Sequence, residues 1–200
     1  MKHFAWLKAV AFIACLYPLA RLGWFAYAHK LGANPIEFII RSFGTWALTF
    51  LLITLSVTPL RRLTGWNGLI KLRRMLGLYV FFYAVLHFTT YIWVDQFFDW
   101  HEIYKDILKR PFITMGFACF LALLPLALTS SNNMVKRLGS KRWQQLHRLV
   151  YGIGVGAVVH YWWLVKKDIT QPAIYAAVLA VLLGYRLVVA TKPLKRHEGG

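Results

Sequence analysis

Hydrophobic positions along the chain gather into six runs, at about residues 7–28, 42–60, 72–94, 111–129, 147–165 and 171–190, with short polar stretches between them. Each run is near the roughly 20 residues that an α-helix needs to cross a hydrocarbon core about 30 Å thick. The connections are too short to hold a soluble domain, so consecutive helices must run antiparallel. No repeat or low-complexity segment interrupts the pattern. It predicts an all-α integral membrane protein, a bundle of six transmembrane helices forming a single domain over residues 1–200. The first run has a feature of a signal peptide, since Lys2 and Lys8 stand at its start and Ala26-Tyr27-Ala28 ends it. Arg21 breaks its apolar character, however, and Trp24, Phe25 and Tyr27 crowd the cleavage position. It is read as a retained helix, kinked at Pro18.

Charge gives the bundle a direction. Lys2 and Lys8, then Arg61, Arg62, Lys71, Arg73 and Arg74, then Lys136, Arg137, Lys141, Arg142 and Arg148, and finally Lys192, Lys195 and Arg196 all fall on one side. The positive-inside rule makes that side, with both termini, cytoplasmic. Of the seven acids, only Glu198 shares it; Glu37, Asp95, Asp99, Glu102, Asp106 and Asp168 lie opposite. The net charge of +17 therefore does not indicate nucleic acid, whose binders collect basic residues on one soluble face. With 58% hydrophobic residues and a mean hydropathy of +0.50, the composition agrees with a multi-pass membrane protein. Cys15 and Cys119 sit inside apolar runs with no CxxC, so disulfides, zinc ribbons and covalently attached haem are not indicated.

With this orientation the third helix reaches His87 after roughly 22 Å of rise, and the fifth reaches His160 roughly 20 Å beyond His147. The two histidines thus share a depth in the outer leaflet. An ionisable side chain at membrane depth is a functional candidate. A pair of imidazoles with no acid or cysteine at their level does not suit zinc, which takes four ligands or three and water. It does suit haem iron, whose porphyrin supplies every equatorial ligand. Phe82, Phe88, Tyr91, Val159 and Trp163 are the expected lining. The plainer reading of each histidine is a hydrogen bond to a neighbouring helix. Between His147 and His160, Gly152, Gly154, Gly156 and Ala157 allow close approach of another helix or a flat ligand.

His147 lies at the cytoplasmic boundary, and its counterpart in depth on the third helix is Arg74. An arginine binds propionate, phosphate or quinone oxygens but does not ligate iron. Together with Arg73 and Arg148, these residues suit an anionic or quinoid electron donor better than a second bis-histidine haem; a flavin, a differently ligated haem and a plain solvated histidine at the boundary are the other readings. Arg21 and Arg41, in the outer half, are candidates for haem propionates, with Glu37 and lipid headgroups as their other partners. His3, His29, His101 and His197 fall in ends or loops and are read as surface residues.

Several strings resemble one family: GANPIEFIIRSFGTWAL (32–48), TPLRRL (58–63), LRRMLGLY (72–79), YAVLH (83–87), WQQLHRLVY (143–151) and HYWW (160–163). They are similar to the haem-binding membrane subunit of the bacterial periplasmic protein-methionine-sulfoxide reductase system, the MsrQ family, within the wider group of ferric-reductase-like transmembrane domains. The resemblance covers nearly the whole chain. It implies a b-type haem subunit of the bacterial inner membrane without catalysis of its own. Such a subunit takes electrons from the quinone pool, or from a flavin reductase, and passes them to a periplasmic molybdopterin-containing methionine sulfoxide reductase catalytic subunit, its heterodimer partner. The family is also associated with FMN. By resemblance His87, His147 and His160 are the haem histidines. Two-haem relatives in the wider group carry a second histidine where this chain has Arg73 and Arg74.

Two other functions compete with this conduit. One is a self-contained ferric or cupric reductase, whose outer metal site would draw on Asp95, Asp99, His101, Glu102 and Asp106. The other is a transporter using His87 and His160 as proton relays, although the spans hold no embedded acid pair. The loop from Asp95 to Lys109, with four acids and the aromatics Phe97, Phe98 and Trp100, is the expected docking surface for a soluble partner.

Overall fold

The computed structural model describes residues 2–191. Lys192, Lys195, Arg196, His197 and Glu198, which entered the charge argument, lie outside the described residues. Among these the regular structure is helical: α1 (Lys2–Tyr27), α2 (Pro35–Thr64), α3 (Arg73–Thr89), α4 (Trp100–Lys109), α5 (Pro111–Leu128), α6 (Asn132–Leu138), α7 (Ser140–His147), α8 (Leu149–Leu164) and α9 (Thr170–Thr191). A 3₁₀ segment Asn67–Lys71 precedes α3, and a π-helical turn Thr90–Asp95 prolongs it.

Five of these segments are long and apolar enough to cross a membrane: Phe4–Tyr27, Pro35–Thr64, Arg73–Asp95, Pro111–Leu128 and Thr170–Val189. The expected span at 147–165 corresponds to α8, whose 16 residues rise only about 24 Å. Arg148, outside both assigned helices, separates α8 from α7. The second helix starts earlier than hydropathy suggested. Asn34 caps it by accepting from the Glu37 amide, and Pro35 occupies its first turn, where a missing N–H costs nothing.

Residue contacts fix the relative directions. On α2 and α3, Phe43 packs near Tyr83 and Phe50 near Tyr79, so the two helices are antiparallel. Cys119 approaches the Ile153 carbonyl while Thr129 meets His147, which sets α5 antiparallel to α7 and α8. Tyr161 packs on Tyr175 and Tyr151 on Arg186, so α9 runs against α8. The acids Glu37, Asp95, Asp99, Glu102, Asp106 and Asp168 therefore sit at one end of the bundle, and Arg61, Arg73, His147 and Arg186 at the other.

The buried centre is built from α2 and α3. Tyr83 is fully buried and its hydroxyl donates to the Cys15 carbonyl on α1, while Tyr79 donates to Phe12. Both acceptors lie within the two turns before Pro18, whose missing N–H leaves the Ala14 carbonyl between them without its helical donor. A polar group facing hydrocarbon must find its partner within the protein, and these tyrosines fit that need. Two of the glycines of α8 face helices: a Cβ at Gly156 would come within 2.5 Å of Cys119 Sγ, and one at Gly154 within 3.3 Å of Leu179, whereas one at Gly152 would meet nothing within 4 Å.

The segment expected to be a docking loop is mostly the amphipathic helix α4. Asp99 caps it, accepting from the amides of His101 and Glu102. Its acids are largely engaged already. Asp106 is buried, pairs with Arg110 and accepts from Tyr91, and Glu102 pairs with Lys105, whose ammonium it holds above the usual lysine range. The freely exposed face of this segment is aromatic and apolar, with Phe97, Trp100, Tyr104 and Leu108. A partner would therefore meet aromatic surface more than unpaired acid.

Candidate functional site

The imidazoles of His87 and His160 come together, their ring centroids 6.1 Å apart and their planes at 78°. Matched depth along two helices has become proximity because both rings also face inward. Each is held in the same way by the helix paired with its own. His87 Nδ1 lies 2.9 Å from the Ile40 carbonyl of α2, and His160 Nδ1 lies 2.6 Å from the Phe112 carbonyl of α5. A backbone carbonyl can only accept, so each Nδ1 carries the proton and each Nε2 keeps its lone pair.

A glycine stands one turn beyond each of these carbonyls. A Cβ at Gly44 would meet His87 Cε1 and Nδ1 at 3.1 Å; at Gly116 it would meet His160 Cε1 at 2.8 Å and Nδ1 at 2.9 Å. Ile40/Gly44 on α2 and Phe112/Gly116 on α5 are thus matching cradles, one for each ring. Sequence reasoning noticed the glycines of α8 and missed these. The available signal was a glycine inside a spanning helix, one turn after the residue level with a histidine.

The donor set is compatible with haem. Two metal–nitrogen bonds of about 2.0 Å, with the ring radii added, separate two imidazole centroids by about 6 Å. The observed 6.1 Å is of that size, and neither Nε2 has a hydrogen-bond partner among the described residues. Among the described residues, no group of three or more His, Cys, Asp or Glu side chains gathers as a metal site. That bears on the outer carboxylate cluster considered for a metalloreductase, whose members pair instead with one another's neighbours.

The expected lining is rotated. Phe82 and Trp163 are exposed on the outside of the bundle and do not flank the rings. Phe112 is the aromatic beside His160, at 6.3 Å, while Phe88 stacks on Phe120 at 4.4 Å. Tyr91 is turned towards Asp106. Arg21 is exposed with its guanidinium 4.7 Å over the Phe25 ring, and Arg41 is ion-paired with Glu37.

At the basic end, His147 stacks on Trp143 at 3.9 Å, and its Nε2 lies 3.0 Å from Thr129 Oγ1. Thr129 Oγ1 also lies 2.6 Å from the Pro125 carbonyl, to which it donates its only proton. His147 Nε2 is therefore the donor to Thr129, and is engaged by the protein. Arg74 and Arg148 are exposed, whereas Arg73 turns inward, within electrostatic range of His147. Arg186 of α9, which sequence reasoning passed over, lies within electrostatic range of Arg73. It was legible as a charge within the last apolar run.

Residues 42–158 match the model of a family described as ferric reductase like transmembrane component. Among curated proteins, the chain is 58% identical over 194 residues to a protein-methionine-sulfoxide reductase heme-binding subunit MsrQ of Herminiimonas arsenicoxydans, covering 96% of this chain and 89% of that one. It is 54% identical to a protein of the same name from Ralstonia nicotianae, over 90% of this chain and 84% of that one. It is 50% identical to another from Rhodospirillum rubrum, over 96% and 91%. No solved structure matches the chain.

Proposed function

The chain belongs to the MsrQ family, within the ferric-reductase-like transmembrane components, and from that premise we propose that it is a b-type haem subunit carrying electrons across the bacterial inner membrane. The observation that supports this best is the pair of inward imidazoles 6.1 Å apart, each with its Nδ1 on a carbonyl. In this reading His87 and His160 would hold the haem iron, near the outer face. Bound haem would supply one-electron chemistry. The chain's own residues orient the two ligands and surround them with apolar side chains. The electrons come from the quinone pool or a flavin donor at the basic end and leave for a periplasmic molybdopterin methionine sulfoxide reductase subunit. FMN is a further expected cofactor, and all six apolar runs cross the membrane as one domain.

Protein purified in neutral detergent should show a dithionite-reducible b-type spectrum, and quinol should reduce it. A colourless protein that takes up no haem would reject the reading in favour of a transporter.

Orientation is tested separately. With both termini in the cytoplasm, a C-terminal alkaline phosphatase fusion should be inactive and a C-terminal fluorescent fusion bright. The opposite result would place His87 and His160 towards the cytoplasm and reverse the direction of transfer.

His147 belongs to the donor end in this reading, because its Nε2 is engaged by Thr129 and Arg73 is the nearby cation. His147→Ala should leave the spectrum of the His87/His160 haem in place and slow its reduction by quinol several-fold. Loss of a separate haem signal would instead make His147 an iron ligand, and an unchanged rate would make it an interfacial residue.

A further inference from the structure

The helix α4 joins two segments that are long and apolar enough to cross a membrane, Arg73–Asp95 and Pro111–Leu128. A helix in that place lies at the boundary between hydrocarbon and water, at the acidic end of the bundle. Its side chains divide three ways. Successive residues of an α-helix turn by about 100°, so Trp100, Tyr104 and Leu108 share a face about 80° wide. His101, Lys105 and Lys109 share a second face, turned about 100° from the first. All six are exposed. Ile103 and Asp106 are buried, on the side opposite the seam between those two faces.

Contacts on the buried side fix this rotation. Asp106 accepts from Tyr91 at 3.3 Å, on the π-helical turn that prolongs α3, and pairs with Arg110 at 3.1 Å. A helix lying on a protein in water alone carries polar residues over its whole exposed arc. Here half of that arc is aromatic and aliphatic and half is charged. Such a division suits a helix with protein, hydrocarbon and water on three sides.

The aromatic neighbours of α4 tell which way its apolar half looks. Trp93 lies in the π-helical turn that ends the span Arg73–Asp95 and is 61% exposed, so its ring meets lipid. Phe98 packs against it with ring centroids 6.4 Å apart, and Trp100 packs against Phe98 at 6.1 Å. An aromatic strip therefore runs from the lipid-facing side of the span onto the apolar face of α4. The turn between them is a costly one. Phe97 and Phe98 take φ of 46° and 60°, in the left-handed region that bulky side chains rarely enter. The Phe98 amide donates to the Ile92 carbonyl at 2.9 Å, which folds the turn back against the span.

We propose that α4 is an interfacial helix, whose face of Trp100, Tyr104 and Leu108 inserts, with Phe98, into the headgroup–hydrocarbon boundary of the bilayer around the bundle. Indole and phenol rings suit that level, being apolar in body and polar at the tip. Lys105 and Lys109 keep their ammonium groups on the water side. The charges of α4 have both signs, Glu102 pairing with Lys105, so the contact is with the apolar part of the lipid and needs no anionic headgroup. The aromatic surface otherwise open to a soluble partner is then covered by lipid. This placement depends on the multi-pass membrane reading, and on neither the haem nor the direction in which the bundle crosses.

Cysteines introduced by Tyr104→Cys, Leu108→Cys, His101→Cys and Lys105→Cys, each labelled with an NBD fluorophore in the full chain, test this in phosphatidylcholine nanodiscs. The unsubstituted chain, with Cys15 and Cys119, gives the background labelling. Iodide quenches from water, and doxyl-labelled phosphatidylcholine quenches from the bilayer. The lipid quencher should be several-fold more effective than iodide at the two apolar-face positions, with the order reversed at the two charged-face positions. Melting followed by circular dichroism reports folding, and Trp100→Cys replaces either apolar-face variant that fails to fold. The proposal is overturned if iodide reaches the apolar face as readily as the charged one, which leaves that face to a soluble partner. It is overturned equally if neither quencher reaches the apolar face, because a second copy of the chain then covers it. Dominance of the lipid quencher at all four positions would sink the whole helix in hydrocarbon and reject the three-way division.

Discussion

Replacing either His87 or His160 by alanine should empty the outer site of low-spin haem. In the proposed arrangement each ring would supply one of the protein's two bonds to the iron, and among the described residues no other histidine, cysteine or acid gathers there to substitute. Loss of a group that merely orients a metal ligand costs roughly 10–100-fold in affinity. Loss of the ligand itself should lower haem per chain by at least about that factor. The readout is haem quantified as the pyridine haemochrome, with the reduced visible spectrum of each purified variant. His101→Ala, in the exposed part of α4, should keep the wild-type haem content. Exogenous imidazole should restore a low-spin spectrum to the alanine variants if the cavity left by the ring is the only defect. Normal low-spin spectra in both His87→Ala and His160→Ala would remove the pairing from consideration.

The second large effect is expected from a single methyl group at Gly116. Its Cβ would stand 2.8 Å from His160 Cε1, closer than carbon atoms approach, so the ring must move. The ring cannot move without disturbing its Nδ1 bond to the Phe112 carbonyl, which is what sets its rotation and its tautomer. Gly116→Ala should therefore lower low-spin haem roughly 10–100-fold or shift its reduction potential. Gly44→Ala, with contacts of 3.1 Å, should show the same change more weakly. Gly152→Ala and Gly184→Ala add a Cβ where nothing lies within 4 Å, and serve as helix-interior controls. There the substitution should be neutral or stabilise by about 0.5–1 kcal/mol. Paramagnetic resonance of the ferric state separates a tilted ligand from general instability, since only the former changes the g values of a folded protein. If Gly116→Ala matches the Gly152→Ala control in both haem content and g values, the cradle has no part in holding the ligand.

Depth was readable in the sequence and rotation was not. Position along a membrane helix is a one-dimensional quantity, a residue count multiplied by a rise per residue, and it set His87 level with His160 before any contact was known. Charge likewise marked two different ends, because lysines and arginines collected in one set of connections and acids in the other. Which face of a helix turns inward depends on its neighbours, and in a chain that is apolar all round no amphipathic pattern declares it. That is why Arg73 and not Arg74 faces the bundle, and why Phe82 and Trp163 point outward. Some missed features had local signals: Asp99 followed by Glu102 is the cap signature of α4, and Asn34-Pro35 marks the start of α2. The glycine cradles and the contacts that Arg186 makes had no local signal strong enough to find them. Each joins residues far apart in sequence, Ile40 with His87, Phe112 with His160, and Arg186 with Leu55 and Tyr151, and such pairings are settled only when the helices pack and every buried polar group must find a partner within the protein.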